Sequence, residues 1–499
     1  MIVVKCNKNE FAYDVHSLVK AFYPAEEVKV FEEGEKSLSS DCNLPEIFIS
    51  FEENKIETIV WQNGEEKLCK ETTLAGNLSR PEYKNALKHL LYGILSDYTG
   101  KELPWGNLTG IRPTKIPYSM LDEGKEKEEI IAYMKEMYSC SDKKALLAYD
   151  IAKREREILS KIHYEQGYSL YIGIPFCPTT CLYCSFTSYS IASCRNKVDD
   201  YLAALEKEID YVAEAFKDKT LDSIYIGGGT PTTLEAEQLD RLLSYVAAKI
   251  DLSTSLEYTV EAGRADSITR AKLEVLKKHG VTRISVNPQT MKEETLQLIG
   301  RRHTVEQVKE AFALAREIGF DNINMDLILG LPNETKEDVE ETLRQVKELD
   351  PDSLTVHSLA IKRASKMSQW IQEQGIQCLN NTDETMEMSA EAAGEMDMAP
   401  YYLYRQKNMS GNFENVGYAR TGKYGIYNIL IMEEMQSIVA LGAGTVSKRV
   451  YPDGRIERCD NVKDVALYIE KIDEMIERKK CFFERIFWRF LSRFLIEYY

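Results

Sequence analysis

From residue 168 to residue 359 the chain alternates two kinds of apolar pattern. Short β-branched or continuous apolar runs, "YSLYIGI", "LDSIYI", "LEYTVEA", "VTRISVNP", "INMDLILGLP" and "DSLTVHSL", read as six strands. Between them apolar residues recur every three or four positions, which predicts helices near 196–217, 235–250, 267–279, 292–299, 304–318 and 335–348. In "VEQVKEAFALAREIGF", Val305, Val308, Ala311, Phe312, Ala315 and Ile318 make one stripe, with Glu and Lys on the other face. Strand and helix in alternation predict βαβ units on a parallel sheet. Such units form either an open doubly wound sheet or a curved partial barrel. In both, reactive side chains gather at the C-terminal ends of the strands.

Residues 1–165 read as a separate N-terminal α+β domain. "NLPEIFIS" and "TIVWQNG" predict strands. "RPEYKNALKHLLYGILSDYTG" predicts a helix with its stripe at Ala86, Leu87, Leu90, Leu91 and Ile94, closed by Gly100. "WGNLTGIRPTKI" reads as a loop, followed by helices near 126–138 and 141–163. The α/β part spans 166–362, and 363–499 is a C-terminal α+β extension. In it, 363–410 reads as a helical connection, and "NILIMEE", "SIVALGAG" and "TVSKRVYPDG" read as strands and turns that extend or cap the sheet. The tail places Phe483, Phe487, Phe490 and Phe494, with Arg485, Arg489 and Arg493, at helical spacing. It predicts a terminal helix docked on the protein, the alternative being a helix lying on a membrane surface.

Composition narrows the class. The 499 residues imply several domains. At 44% hydrophobic the chain builds real cores, yet no run approaches the ~20 apolar residues of a membrane span. The N-terminus lacks a secretory pattern, so the expected location is the cytosol. A net charge of −17 repels phosphate backbones and argues against nucleic acid as a partner. Eleven cysteines, mostly scattered singly, do not make a disulfide framework.

The exception is "GIPFCPTTCLYCSF", where Cys177, Cys181 and Cys184 share one strand-to-helix loop. Thiolates suit zinc, copper(I) or iron–sulfur clusters. A closed zinc site takes four ligands, usually as two separated pairs, and neither Cys194 nor His163 supplies a second pair. Three thiolates would leave one iron of a [4Fe–4S] cluster without a protein ligand. One unit later, "YIGGGTPT" lets backbone groups of Gly227, Gly228, Gly229 and Thr230 approach a ligand closely.

Cys177-xxx-Cys181-xx-Cys184, with Tyr183 before the last cysteine, resembles the signature of the radical S-adenosylmethionine (AdoMet) superfamily. The resemblance implies an α/β fold, a partial (β/α)6 TIM-like barrel, and that AdoMet chelates the open iron of a [4Fe–4S] cluster and is cleaved by one electron to a 5′-deoxyadenosyl radical. "LYIGIPFC" is similar to the YxHIPFC segment of the oxygen-independent coproporphyrinogen III oxidase family. On that match, Gly227, Gly228, Gly229 and Thr230 contact the amino end of AdoMet, and Glu261 in "VEAG" is its glutamate ligand. Gln289 in "NPQT", Arg301 in "GRRHT" (the carboxylate partner) and Asp326 in "MDLILGLP" complete the set. "NMSGNFENVGY" and "ALGAGTVS" resemble later family segments, so the match runs from about 168 to 450.

Within the family, "LTGIRPTK" and "CLYCSFTSY" resemble the coproporphyrinogen dehydrogenase branch. That implies oxidative decarboxylation of coproporphyrinogen III to protoporphyrinogen IX, with a flavodoxin or ferredoxin as electron donor. Arg112, Lys115, Lys362 and Arg363 are candidate partners for the substrate carboxylates. Tyr171 matches the family tyrosine, whereas Gly173 stands where the family has histidine, with His303 and His357 as possible replacements. A haem-chaperone branch carries HNxxYW, and the corresponding "GKYGIYNILIMEE" has neither His nor Trp. A third branch acts on haem itself.

Overall fold

The computed structural model describes residues 1–484 except 25, 35–42, 77, 111, 362–364, 376–379 and 407–412. Lys362, Arg363 and the tail from Arg485 onward therefore lie outside the described residues. The chain forms two compact units, Met1–Lys153 with Leu403–Asn415, and Arg154–Tyr402 with Val416–Tyr499.

The first unit holds a sheet of β1 (Ile2–Cys6), β2 (Val28–Glu32), β3 (Glu46–Phe51), β4 (Lys55–Gln62) and β5 (Glu65–Thr73), in the order β2-β1-β3-β4-β5. Alternate residues Ile47, Ile49 and Phe51 of β3, with Ile56 and Val60 of β4, are buried in one core with Val15, Leu18 and Val19 of α1 (Ala12–Phe22) and Leu87, Leu91 and Ile94 of α2 (Arg80–Thr99). A capping box between Ser79 and Glu82 starts α2, and Gly100 in the left-handed region ends it. Helices α3 (Lys115–Asp122), α4 (Lys127–Tyr138) and α5 (Asp142–Leu159) follow. Lys115, expected in a loop, opens α3.

The second unit is built on six neighbouring parallel strands: β6 (Gly167–Ile174), β7 (Thr220–Gly228), β8 (Glu257–Glu261), β9 (Arg283–Ser285), β10 (Ile323–Leu329) and β11 (Ser353–Ser358). Helices α6 (Val198–Ala215), α7 (Ala236–Lys249), α8 (Arg270–Lys278), α9 (Glu293–Leu298), α10 (Val305–Ile318) and α11 (Lys336–Leu349) intervene as the apolar periodicity predicts. The sheet does not close into a barrel. Its β11 edge is extended by β12 (Ala399–Tyr404) and β13 (Asn415–Ala419), and its β6 edge by β14 (Ile438–Leu441), β15 (Val446–Val450) and β16 (Ile456–Asp460).

The connection read as helical holds α12 (Met367–Gln374) and α13 (Asp383–Glu395) but ends in strand β12. "NILIMEE", read as a strand, belongs to α14 (Ile426–Glu433). Its apolar run is continuous, which hides the helical period. The buried Glu257 carboxylate of β8 accepts the N–H groups of Ile426 and Tyr427 and satisfies the first turn. Helices α15 (Val465–Glu470) and α16 (Ile472–Glu484) complete the described chain, and Phe483 packs edge-on against Phe216 of the segment following α6.

Candidate functional site

Period-two alternation gives the parallel sheet two unlike faces. Leu170 and Ile172, Ile224 and Ile226, Tyr258 and Val260, and Leu354 and Val356 are buried apolar residues on one face. The other parity is polar or aromatic, and in-register pairs place Tyr171, Tyr225, Thr259 and Arg283 on one face, as they do Glu261, Ser285, Asn324 and Ser353. These groups satisfy one another. Ser223 donates to Ser169 at 2.9 Å, Thr259 to Glu257 at 2.6 Å, and Arg283 to Ser353 at 3.2 Å. Asn324 accepts from Ser353 at 3.1 Å and Thr355 at 3.2 Å, and donates to Asp326 at 2.6 Å.

At the C-terminal ends of the strands the polar face becomes a set of titratable groups. Tyr225 donates to Glu261. Tyr171, Tyr225 and Tyr427 stack, with centroids 6.1 Å (171–225), 5.8 Å (171–427) and 4.5 Å (225–427) apart. Burial, with the Asp326 charge adding to it, pushes Glu261 up to about 7, against the opposing pull of Tyr225 and Arg283. Burial would also raise Asp326, but its contacts with His357, Asn324 and Thr355 outweigh it and hold the carboxyl below its ordinary value. The His357 Nε2 is 3.8 Å from Asp326.

The two sequence-predicted loops meet. Gly229 N–H donates to the Ile174 carbonyl at 2.8 Å, and Thr230 N–H to the Phe176 carbonyl at 2.7 Å. A Cβ on Gly229 would sit 2.5 Å from Phe176 O, so only glycine permits this approach. Gly228 takes a φ of +105°. A Cβ on Gly227 would meet Glu261 Oε2 at 3.0 Å, which puts the glutamate directly against the glycine loop. The Cys177 thiol lies 3.5 Å from the Thr230 hydroxyl. Burial pushes Cys177 up to about 11, with the charges of Cys184 and Cys181 adding to it.

Two buried guanidiniums flank Cys181. Arg264 reaches its sulfur at 3.9 Å, donates to the Thr179 hydroxyl at 2.7 Å and pairs with Asp266 at 2.7 Å. Arg301 donates to Tyr183 Oη at 3.2 Å and to the Asn287 carbonyl. The Nε of Arg301 and the Oδ1 of Asn287 are buried without a hydrogen-bond partner. Gln289, in the left-handed region at φ 72°, donates its N–H to the Asp326 carbonyl at 2.9 Å and ties the loop after β9 to β10. His303 is 1% exposed, with Asp266 at 3.7 Å as its nearest carboxylate, whereas the His357 side chain is 27% exposed.

Gly173 is closed by its neighbours. A Cβ there would meet Thr445 Cγ2 at 2.5 Å, and its carbonyl accepts from Tyr201 at 2.6 Å. Tyr201 also accepts from Ala443 N–H at 3.1 Å, while Gly442 N–H donates to Glu208, which pairs with Lys479; both partners are fully buried. A histidine at 173 has no room while Thr445 stays in place.

Residues 171–346 match the model of the Radical SAM superfamily. Over 411 residues, 81% of this chain and 82% of the relative, the sequence is 41% identical to the oxygen-independent coproporphyrinogen-III oxidase-like protein HemZ of Bacillus subtilis. The chain belongs to this family of radical SAM proteins. It is also 34% identical over 307 residues to the Heme chaperone HemW of Bacillus subtilis, covering 61% of this chain and 76% of the relative. Among solved structures, that of coproporphyrinogen III oxidase HemN from Escherichia coli, a radical SAM enzyme, aligns with a TM-score of 0.48 and 24% identity over 64% of this chain and 73% of that one.

Membership of the radical SAM superfamily implies a [4Fe–4S] cluster and AdoMet, and the residues present fit both. Among the described residues no three Cys, His, Asp or Glu side chains converge on one metal ion. A cluster asks for something else, one thiol per iron on spaced atoms. Three thiols within mutual electrostatic reach, beside two buried cations, meet that demand. The unpartnered Arg301 Nε and the Glu261 carboxyl offer opposite charges for an amino acid's two ends. Arg112 and Lys115 belong to the other compact unit. Sequence reasoning missed Tyr225, Tyr427, Arg264, Arg283 and Thr445. Tyr225 and Arg283 had one signal, the polar parity inside the strands "I-Y-I" and "R-I-S"; Tyr427, Arg264 and Thr445, on a helix and in loops, had none.

Proposed function

We propose that this chain is a radical AdoMet enzyme that converts two propionates of coproporphyrinogen III to vinyl groups. The observation that carries the reading is the joining of the cysteine loop to the Gly227–Thr230 loop, with Glu261 and Arg301 beside them at one end of the sheet. Cys177, Cys181 and Cys184 hold the cluster. Gly227, Gly228, Gly229, Thr230 and Glu261 receive the AdoMet ammonium, and Arg301 its carboxylate, with Tyr183, Gln289 and Asp326 fixing the walls. Bound together, cluster and AdoMet supply a one-electron cleavage that makes a hydrogen-abstracting carbon radical. Each propionate then loses a hydrogen atom, carbon dioxide and one further electron. Tyr171 and Gly173 line the strand that enters the cysteine loop, and the buried polar face keeps water from the reacting carbon. The reading places the protein in a reducing cytosol, in keeping with nine described cysteines that are all free thiols, and takes its electrons from a flavodoxin or ferredoxin.

A second reading, a porphyrin-binding chaperone, is favoured by the 34% identity to Heme chaperone HemW. The stretch where that branch carries its haem motif is α14 here, and Tyr427 in it is buried against Tyr225. Anaerobic reconstitution followed by assay with AdoMet, reductant and coproporphyrinogen III separates the two. The oxidase reading expects 5′-deoxyadenosine, carbon dioxide and protoporphyrinogen. Tight haem binding without carbon dioxide release would establish the chaperone instead. Deoxyadenosine without a vinyl product would mean another tetrapyrrole substrate.

A further inference from the structure

Arg264 precedes the short turn Ala265–Ser267 that follows β8, and its guanidinium is held from two directions. Its Nε donates to Asp266 Oδ1 at 3.0 Å and its Nη2 to Oδ2 at 2.7 Å, a two-pronged pair. Its Nη1 donates to the Thr179 carbonyl at 3.1 Å and hydroxyl at 2.7 Å, and lies 3.9 Å from the Cys181 sulfur. Thr179 sits inside the cysteine loop and in turn donates to the Gly300 carbonyl at 2.7 Å. The Arg264 side chain is 3% exposed, so the group is fixed against the loop and does not reach outward to a substrate. Asp266 stays ionised. Burial would raise its carboxyl, but the contacts with His303 and Arg264 outweigh burial and hold it below its ordinary value.

We infer that Arg264 is a positioning residue that acts through Cys181 to make the bound cluster easier to reduce. The inference rests on the reading of the three cysteines as cluster ligands. Reduction adds one negative charge to a cluster and its thiolates. A cation and an N–H group at a ligand sulfur favour the more negative state. In a buried site that charge acts at low dielectric and is little screened by salt. Asp266 opposes part of the effect, but from the other side of the guanidinium: it takes Nε and Nη2, while Nη1 faces the sulfur. The pair therefore acts as an oriented dipole with its positive end on Cys181. Arg301 also interacts with Cys181, but a bound AdoMet carboxylate would offset its charge.

The test is a redox titration of the reconstituted full chain with dithionite and mediators, without AdoMet or substrate, the [4Fe–4S]⁺ signal being read by electron paramagnetic resonance. Arg264→Met is expected to weaken the reduction equilibrium at least about tenfold, a midpoint lower by about 59 mV for one electron. Arg264→Lys keeps the cation and is expected to stay within about threefold of wild type. Asp266→Asn removes the opposing carboxylate and is expected to raise the midpoint. A clamp that only held the loop in shape would not move the midpoint in opposite directions. A smaller shift in Arg264→Met, a larger one in Arg264→Lys, or a midpoint unchanged or lowered in Asp266→Asn would overturn the inference. Should Arg264→Met hold no cluster, Arg264→Lys and Asp266→Asn decide by the same criteria. If these hold none either, Arg264 and Asp266 are structural and the inference falls. A wild type that takes up no cluster would sink the reading of the cysteines itself, whereas a wild-type cluster with unmoved midpoints in the variants overturns this inference alone.

Discussion

The two sheets of this protein use the same period-two alternation and obtain different things from it. In the first unit the polar parity stays in water. Lys5 pairs with Glu46 at 3.0 Å with both side chains about one-third exposed, and Lys55 pairs with Glu57 at 3.3 Å. Such pairs keep a sheet face soluble and contribute little stability. In the second unit the polar parity is withdrawn from solvent. Ser169, Glu257, Arg283, Asn324 and Ser353 are at most 3% exposed. Each needs a partner there; burial raises Glu261 against its network contacts, while contacts with His357, Asn324 and Thr355 hold Asp326 low. Burial, more than residue type, separates a solubilising face from a chemical one.

The largest effect is expected from Arg283→Met, which leaves Glu257 and Asp326 without their shared buried cation. Urea unfolding should show a loss of about 3–5 kcal/mol. A loss like that of an exposed pair would mean that the two faces are equally wet. Gly229→Ala comes next. Its Cβ would lie 2.5 Å from Phe176 O, so the glycine loop must move off the strand. A loss of about 1–3 kcal/mol is expected, together with less iron retained after reconstitution.

Glu261→Gln should act through pH. Folded Glu261 titrates at about 7 against an ordinary 4.5, so between those values the native state holds a proton that the unfolded chain has released. Wild-type stability from this group is therefore full below 4.5 and lost as pH rises through about 7. The variant should melt above wild type at pH 8, by on the order of 2 kcal/mol in stability, and show no such gain near pH 4. A pH-independent difference would place Glu261 in water. The smallest effect is expected from Lys5→Ala on the exposed face, within about 1 kcal/mol by the same unfolding measurement.

The alternation of strands and amphipathic helices was legible because each helix of the second unit keeps one apolar stripe, as α10 does with Val308, Ala311, Phe312 and Ala315. Helix α14 was not, because its apolar run has no polar face to set the period and its N-terminus is held by Glu257, which is 169 residues away. Strand β5, "EEKLCKETT", carries almost no apolar residues and was missed for that reason. The cysteine and glycine loops were legible because their chemistry requires fixed local spacing. Arg264, Arg283 and Tyr427 were not, because each reaches the site from a separate loop, strand or helix. Gly173 could be read as a departure from the family, but not the reason for it. Thr445, from the other end of the second unit's sequence, occupies the space.

The most direct test of the radical site is the electron paramagnetic resonance spectrum of the reduced, reconstituted protein, recorded before and after AdoMet is added. Wild type should give a [4Fe–4S]⁺ signal that shifts with AdoMet, and Cys181→Ala should lose it. A signal indifferent to AdoMet, or one of equal strength in Cys181→Ala, would contradict the assignment of the three cysteines and the open iron.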